Sequence, residues 1–230
     1  MKEKKLLEII ESINEEEVID ILENLISIAG HIGCPKQEEE ISRHVLDIFK
    51  KEEINASYQQ VELHRRNVIA KIEGKNNGKT LALNGHMDTV PPDEKMKDYK
   101  PSKKDGKIYG LGAADMKGGV AAMVYSMMLI KRLNIKLNGD LFFTGVIGEE
   151  SGGVGTNFLI NKSGYTADYF IVGEPTELKI VNSHKGVSNM DVIIEGRAAH
   201  ASMPEKGLNA ISAMANFINL INRDYIPLLN

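Results

Sequence analysis

The sequence predicts an α/β fold in which helices flank a layered, largely parallel sheet. Strand-like and helical segments alternate between about residues 80 and 172, and this alternation is typical of parallel βαβ units. Acidic residues follow directly after several of the apolar strands, which is where open α/β sheets bind their ligands. From about Val181 the pattern changes to one strand and one helix, which predicts the start of a smaller α+β domain.

The first fifty residues are predicted to form helices. Asn14, followed by three glutamates, is typical of a helix N-cap with an acidic first turn. Pro35 is predicted to open a second helix, because proline is favoured in the first helical turn. The apolar face of the first helix consists of Val18, Ile21, Leu22, Leu25 and Ile28, and that of the second of Ile41, Val45, Ile48 and Phe49.

The later elements are predicted from apolar runs bounded by glycine, proline and asparagine. The predicted strands are residues 57–63, 67–72, 80–83, 140–147, 169–172 and 187–194, and the predicted helices are residues 116–133, 156–161 and 209–221. In the last helix, Ile211, Met214, Ala215 and Ile218 are expected to face inward. We expect a first domain at residues 1–182 that lacks its C-terminal segment, and the first part of a second domain at residues 183–230.

Composition and charge exclude several classes of function. The formal net charge of -4, without a basic cluster, argues against a nucleic-acid-binding protein. The longest apolar stretch, about Val120 to Ile130, is too short to cross a membrane, and the N-terminus lacks the apolar segment of a signal peptide. With Cys34 as the single cysteine, an internal disulfide is impossible, so we expect a reducing cytoplasm and interpret Cys34 as a small buried residue rather than a nucleophile.

One imidazole and several carboxylates follow the predicted strands or lie in a glycine-rich loop. In chain order these residues are His86, Asp88, Asp115, Glu149, Glu150 and Glu174. Because the carboxyl ends of parallel strands meet at one edge of a sheet, these side chains are expected to converge. Nitrogen and oxygen ligands without a thiolate suit zinc, cobalt or manganese.

Each of these residues also has an interpretation that needs no metal. His86 could be a hydrogen-bonded loop histidine, and Asp115 could cap the helix that follows it. Glu149 and Glu150 could lie on a solvated loop, and Glu174 could be a turn residue. These separate interpretations do not explain why the carboxylates follow apolar strands, among glycines that allow close approach to the backbone.

Five motifs between about residues 80 and 210 carry a family resemblance. They are HMDTVPP, GLGAADMKGG, GEESGG, GEPTE and GRAAHASMPEKG. Together, and in this order, they resemble the dinuclear zinc family that includes acetylornithine deacetylase, succinyl-diaminopimelate desuccinylase, aminoacylase and glutamate carboxypeptidase. The chain has Leu111 where this family usually has arginine. That departure is expected to alter the loop surface without removing a ligand.

The resemblance implies a role for each residue of the cluster. His86 and Glu174 would hold one metal ion, Glu150 would hold the other, and Asp115 would bridge both. Asp88 would orient the His86 ring and raise its basicity, as the hydrogen-bond partners of metal ligands generally do. Zinc is the metal that the resemblance implies, with cobalt or manganese as alternatives.

The resemblance also implies a reaction, namely hydrolysis of the amide bond of a small N-acyl amino acid or peptide. A water shared by two cations would attack the carbonyl, and Glu149 would act as general base and then protonate the leaving amine. His200 would assist at the oxyanion from a smaller lid domain, residues 183–230 in this chain. In the family this lid also forms a homodimer, and the histidine often reaches across the dimer interface.

The second metal site is expected to be incomplete in this chain. In the family this site has a further histidine ligand near the C-terminus, and no histidine follows His200 here. A complete set would remain for one metal, formed by His86, Asp115 and Glu174. The fragment could therefore be inactive, so the alternative function is a non-catalytic metal-binding scaffold of the same fold. Dinucleotide binding at residues 110–112 is disfavoured, because Asp115 replaces the third glycine of that fingerprint.

Overall fold

The computed structural model describes residues 3–94, 99–186 and 190–229. The chain divides into two compact units, of which the first ends at Ile180 and the second begins at Val181. This division lies two residues before the boundary expected from the sequence. The functions that the sequence suggests for the two parts remain predictions.

A five-stranded mixed sheet forms the centre of the first unit. The strands of the chain are β1 (Asn55–Glu62), β2 (Arg65–Ile72), β3 (Leu81–His86), β4 (Ser102–Lys104), β5 (Lys107–Tyr109), β6 (Leu141–Val146) and β7 (Tyr169–Val172). The order in the main sheet is β1-β2-β6-β3-β7, and β4 pairs with β5 in a separate hairpin. Strand β3 runs parallel to both β6 and β7, whereas β2 pairs antiparallel with β1 and β6. The predicted α/β class is confirmed, and its parallel part consists of β6, β3 and β7.

The α-helices of the first unit are α1 (Glu3–Glu11), α2 (Glu15–Ile26), α3 (Glu39–Lys51), α4 (Gly118–Arg132) and α5 (Val154–Asn161). Of these, α3, α4 and α5 pack against the sheet and α2 packs against α4, whereas most of the large apolar side chains of α1 are exposed. The predicted cap of α2 is confirmed, because the Asn14 side chain accepts a hydrogen bond from the Glu17 amide. In the core the rings of Phe49 from α3 and Phe143 from β6 lie 5.1 Å apart. None of the described helices combines the length and hydropathy needed to cross a membrane.

The helix predicted to start at Pro35 begins later. Residues 35–38 form turns, and α3 starts at Glu39. Lys36 and Gln37 have φ angles of 60° and 47°, so their backbone is left-handed and cannot belong to a right-handed helix. Cys34, expected to be buried, is half-buried in this segment.

The second unit differs from its prediction in two respects. Of the strand predicted at residues 187–194, residues 187–189 lie outside the described part and residues 190–194 form no strand. The predicted helix is present as α6 (Ala210–Leu220), but its apolar face is not covered, and Ile211 and Ile218 are 82% and 49% exposed. The physical reason is that β-pairing in the described part of this unit amounts to one bridge, Arg197–Leu208, so the helix has no sheet to cover.

Candidate metal centre

The ends of the three parallel strands bring most of the predicted site residues to one edge of the sheet. His86 is the last residue of β3, Glu149 and Glu150 follow the end of β6, and Glu174 follows the end of β7. Asp115 reaches the same place from the loop that precedes α4, since its carboxylate contacts the His86 ring. The topology of the sheet therefore explains why residues distant in sequence converge.

The four predicted metal ligands lie close together. The His86 ring is buried, and its Nε2 atom lies 3.0 Å from Asp115 Oδ1 and 3.6 Å from Glu174 Oε1. Ligand atoms of His86, Asp115 and Glu150 all lie within 4.8 Å of one another. The carboxylates of Asp115 and Glu174 are 56% and 36% exposed, so the cluster opens to solvent on the side away from His86.

The His86 ring is oriented by its neighbour two residues along the chain. Its Nδ1 atom lies 3.0 Å from the backbone carbonyl oxygen of Asp88 and 3.6 Å from the Asp88 carboxylate. Because a carbonyl can only accept, Nδ1 carries the proton in the neutral ring, and the Nε2 lone pair points towards the carboxylates. The family resemblance implied this orienting role for Asp88, and the shorter of the two contacts comes from its backbone rather than its side chain.

The Asp88 carboxylate has a second contact that the sequence did not suggest. It accepts hydrogen bonds from the backbone amides of Glu149 at 3.1 Å and Glu150 at 3.2 Å. Asp88 is itself buried. It therefore connects the segment after β3, which follows His86, to the loop after β6, which carries both glutamates.

The cluster contains more carboxylates than positively charged groups, and their charges help to raise the pKa values of His86, Glu150 and Glu174. Burial opposes the charged form of His86, but Asp88, followed by Glu174 and Asp115, outweighs burial and raises the pKa of the ring to about 9. Burial, followed by the negative charge of Asp115, raises the pKa of Glu150. The pKa of Glu174 is also raised, by burial first and then by nearby carboxylates. Glu149 contributes to both of these rises, so its carboxylate lies close enough to interact with the cluster.

The loop that carries Asp115 packs closely against neighbouring residues. Gly112 has a φ of 74°, and a Cβ atom there would lie 2.5 Å from Thr89 Cγ2, so glycine is required at this position. The peptide bond between Asp115 and Met116 is cis. Met116 is buried, and its sulfur accepts a hydrogen bond from the His86 amide at 3.2 Å. The loop and β3 are thus in direct contact beside the site.

Two further residues of this loop, Leu111 and Lys117, are buried. Leu111, expected to alter the loop surface, is buried with 8% exposure, because the loop packs onto α2. Lys117 is buried as well, and its ammonium donates to the Ile28 carbonyl at 2.9 Å. Sequence reasoning missed Lys117, because a lysine at a helix start is normally solvated.

His200 lies in the second unit and is exposed. The backbone amide of Ser202 donates to its Nδ1 atom at 3.2 Å, and the Ser202 hydroxyl lies 2.8 Å from the same atom. Because an amide can only donate, Nδ1 acts as acceptor, and the neutral ring carries its proton on Nε2. The catalytic role of His200 remains a prediction.

The comparison with protein families supports the resemblance seen in the motifs. Residues 82–220 match the family described as Peptidase family M20/M25/M40. The chain belongs to this family. The matched range includes His86, Asp115, Glu149, Glu150 and Glu174, so every predicted ligand lies within it.

Curated relatives of this family are similar over most of the chain. A probable succinyl-diaminopimelate desuccinylase of Staphylococcus epidermidis is 32% identical over 219 residues, which are 93% of this chain and 53% of the relative. An acetylornithine deacetylase of Buchnera aphidicola is 32% identical over 209 residues, which are 87% of this chain and 54% of the relative. The chain therefore spans about half the length of the curated relatives it matches.

Solved structures share the fold. An aminopeptidase PepT from Bacillus cereus has a TM-score of 0.63 and 29% identity, over 90% of this chain and 57% of that one. A tripeptidase from Staphylococcus aureus has a TM-score of 0.66 and 24% identity, over 90% of this chain and 56% of that one. At that identity the second likeness concerns the fold alone.

Proposed function

We propose that this chain is the metal-binding part of a hydrolase that cleaves the amide bond of a small N-acyl amino acid or peptide. The convergence of His86, Asp115, Glu150 and Glu174 at the end of three parallel strands carries this proposal. Membership of Peptidase family M20/M25/M40 supports amide hydrolysis. The names of the two curated relatives support N-acyl amino acids as the substrate class.

The side chains present fit divalent cations. The cluster offers one imidazole nitrogen and several carboxylate oxygens, a donor set that suits zinc, cobalt or manganese. Burial first, and then the charges of neighbouring carboxylates, raise the pKa of Glu150 and Glu174, and a bound cation would offset both effects by stabilising the charged carboxylates. When bound, such cations supply Lewis acidity to a substrate carbonyl and make a water molecule acidic near neutral pH.

The protein residues would divide the remaining work. His86 presents the Nε2 lone pair because its Nδ1 proton is held by the Asp88 carbonyl. Glu149, exposed and anchored through its amide to Asp88, would take a proton from the attacking water. It would then deliver this proton to the leaving amine nitrogen as the C–N bond breaks. His200 would donate its Nε2 proton in a hydrogen bond to the developing oxyanion.

The organisation of the whole protein is part of the proposal. Residues 1–182 would form the metal-binding catalytic domain, and residues 183–230 would begin a lid that also forms a homodimer. A cytoplasmic location is supported by the presence of a single cysteine. With His86, Asp115 and Glu174 as a complete set, this chain would hold one cation tightly and a second one weakly.

A metal titration of the chain tests this proposal. We expect about one tightly bound zinc or cobalt ion per chain. Glu174→Gln removes a ligand, so it should weaken binding by at least the roughly 10–100-fold that losing a partner of a ligand costs. Glu177→Gln is the matched control, because Glu177 lies nearby on the same segment and its exposed carboxylate pairs with Lys179 instead. A chain that binds no cation, or a Glu174→Gln variant that binds like the control, would refute the proposal. Two equally tight cations would refute the incomplete second site.

Adjacent glutamates provide a matched test of catalysis in the longest product that the gene encodes. Glu149→Gln should abolish hydrolysis of acetyl-, succinyl- or peptidyl-amino acids while leaving the cations bound. Glu150→Gln makes the same chemical change one residue along and should reduce cation binding itself. Turnover that survives in Glu149→Gln would exclude this residue as the base. Bound cations without turnover of any of these substrates would favour the scaffold alternative.

A further inference from the structure

The loop that carries Glu149 and Glu150 is closed at its base. We call residues 148–153 the carboxylate loop. The Gly153 amide donates to the Gly148 carbonyl at 2.7 Å, and the Gly155 amide donates to the Ile147 carbonyl at 3.0 Å. These bonds bring the two ends of the loop together, directly after β6 and at the start of α5.

A side chain from the neighbouring strand bridges the two ends. The Oδ1 atom of Asn67, in β2, accepts a hydrogen bond from the Ile147 amide at 3.1 Å. Its Nδ2 atom donates to the Gly155 carbonyl at 3.0 Å and to Gln59 Oε1 at 2.8 Å. Because one backbone partner can only donate and the other can only accept, the orientation of the amide group is determined.

The space around this contact is fully occupied. Asn67 has 0% exposure. A Cβ atom added at Gly155 would lie 2.5 Å from both Asn67 Oδ1 and the Ile147 amide nitrogen. Strand β2 also supports the beginning of the loop, since a Cβ atom at Gly148 would lie 2.6 Å from the Arg65 guanidinium. A shorter side chain at position 67 would therefore leave two buried backbone groups without their partner.

The carboxylate loop needs such support because its glycine-rich sequence allows many backbone conformations. Three of its six residues are glycines, and Gly148, Gly152 and Gly153 all have left-handed φ angles. Glycine leaves the backbone many alternative conformations, so the loop has a large entropy to lose on ordering. Asp88 holds the amides in the middle of the loop, and Asn67 holds its two ends.

We infer that Asn67 is a positioning residue for the candidate metal centre. By holding the ends of the carboxylate loop, Asn67 places the Glu150 carboxylate for a cation and the Glu149 carboxylate for proton transfer. This inference rests on the proposed function. It adds a residue that is neither a ligand nor in contact with one, and that lies before the range matched by the family. Its effect is expected to pass entirely through the carboxylate loop.

Two measurements on the chain separate positioning from general stability. In the metal-free chain, Asn67→Ala should accelerate hydrogen exchange of the amides of residues 147–155 by about 10-fold or more, because the loop opens locally. In cobalt titrations, Asn67→Ala should weaken the binding of the cobalt ion that Glu150 holds. The expected loss of affinity is about 10-fold or more, which is the range for residues that orient metal ligands. Ser42→Ala is the matched control, because the buried Ser42 hydroxyl donates to the Arg66 carbonyl, next to Asn67, without contacting the loop.

A double variant makes the test specific. Once Glu150→Gln has removed the ligand, adding Asn67→Ala should weaken cobalt binding no further, whereas a general loss of stability would act in both backgrounds. Unchanged exchange in Asn67→Ala, or a cobalt affinity equal to that of Ser42→Ala, would overturn the inference while the proposed function stands. A Glu150→Gln variant that binds cobalt like the unaltered chain would instead refute the ligand role of Glu150, and the inference with it.

Discussion

Replacing Glu38 by glutamine is expected to destabilise the first unit strongly, because Glu38 forms a buried ion pair. Its carboxylate accepts two hydrogen bonds from Arg65, at 2.7 Å from Nε and 2.6 Å from Nη2. The side chains are 1% and 14% exposed, so solvent screens the pair little. The hydrogen bonds that Arg65 donates to Glu38 raise the pKa of Arg65, and the guanidinium remains charged. Glu38→Gln would leave this charge without its main counterion.

The burial of the pair determines how much stability Glu38→Gln should lose. Removing one partner of a buried pair costs about 3–5 kcal/mol. Glu62 also contacts Arg65, at 2.9 Å, and would retain part of the compensation. We therefore expect a loss of about 3 kcal/mol for Glu38→Gln, at the lower end of that range. Glu62→Gln is the matched control, because the Glu62 side chain is 50% exposed and such pairs contribute about 0.2–1 kcal/mol.

Urea denaturation followed by far-UV circular dichroism measures both variants. With a slope of about 2–3 kcal/mol/M, Glu38→Gln should lower the midpoint by about 1 M or more. The double variant Glu38→Met/Arg65→Met should recover most of the loss, since an apolar pair of similar volume has no charge to desolvate. If Glu38→Gln shifted the midpoint no more than Glu62→Gln, the argument from burial would be wrong.

Two further predictions concern backbone packing and acid stability. Gly155→Ala should destabilise the first unit by about 2 kcal/mol in the same assay, because its Cβ would lie 2.5 Å from the Ile147 amide nitrogen. Gly186→Ala, where a Cβ meets nothing within 4 Å, should shift the midpoint little, and equal shifts would contradict the packing argument. Asp168 bonds Lys79 and Thr80, which lowers its pKa from 3.8 to about 2. The contribution of Asp168 to the free energy of unfolding is therefore complete above about pH 4 and is lost as the pH falls towards 2. Asp168→Asn should make the free energy of unfolding depend less on pH in that window, and an unchanged pH dependence would exclude this role of Asp168.

Much of the local structure was predictable from the sequence, and so was the convergence of His86, Asp115, Glu150 and Glu174. The strand at residues 169–172 and the cap of α2 at Asn14 agree with the structure, because periodicity and capping act over a few residues. The positions of the acidic residues after the strands were equally visible. The errors lie where short-range signals were weak, as in the left-handed turn at Lys36 and Gln37. They also lie where an apolar face lacks its partner, as in α6.

The sequence by itself therefore indicated which residues could bind a cation and which strands would carry them. Side-chain chemistry and hydrophobic periodicity are local properties, so the sequence alone defines them. Only the tertiary structure decided which residues meet, since strand order and register depend on pairings between distant segments. It placed β6 between β2 and β3, which set Asn67 against Gly155 across 88 positions and gave the Asp88 carboxylate the amides of Glu149 and Glu150. These buried bonds satisfy backbone groups of a loop whose glycines would otherwise leave it without a defined shape.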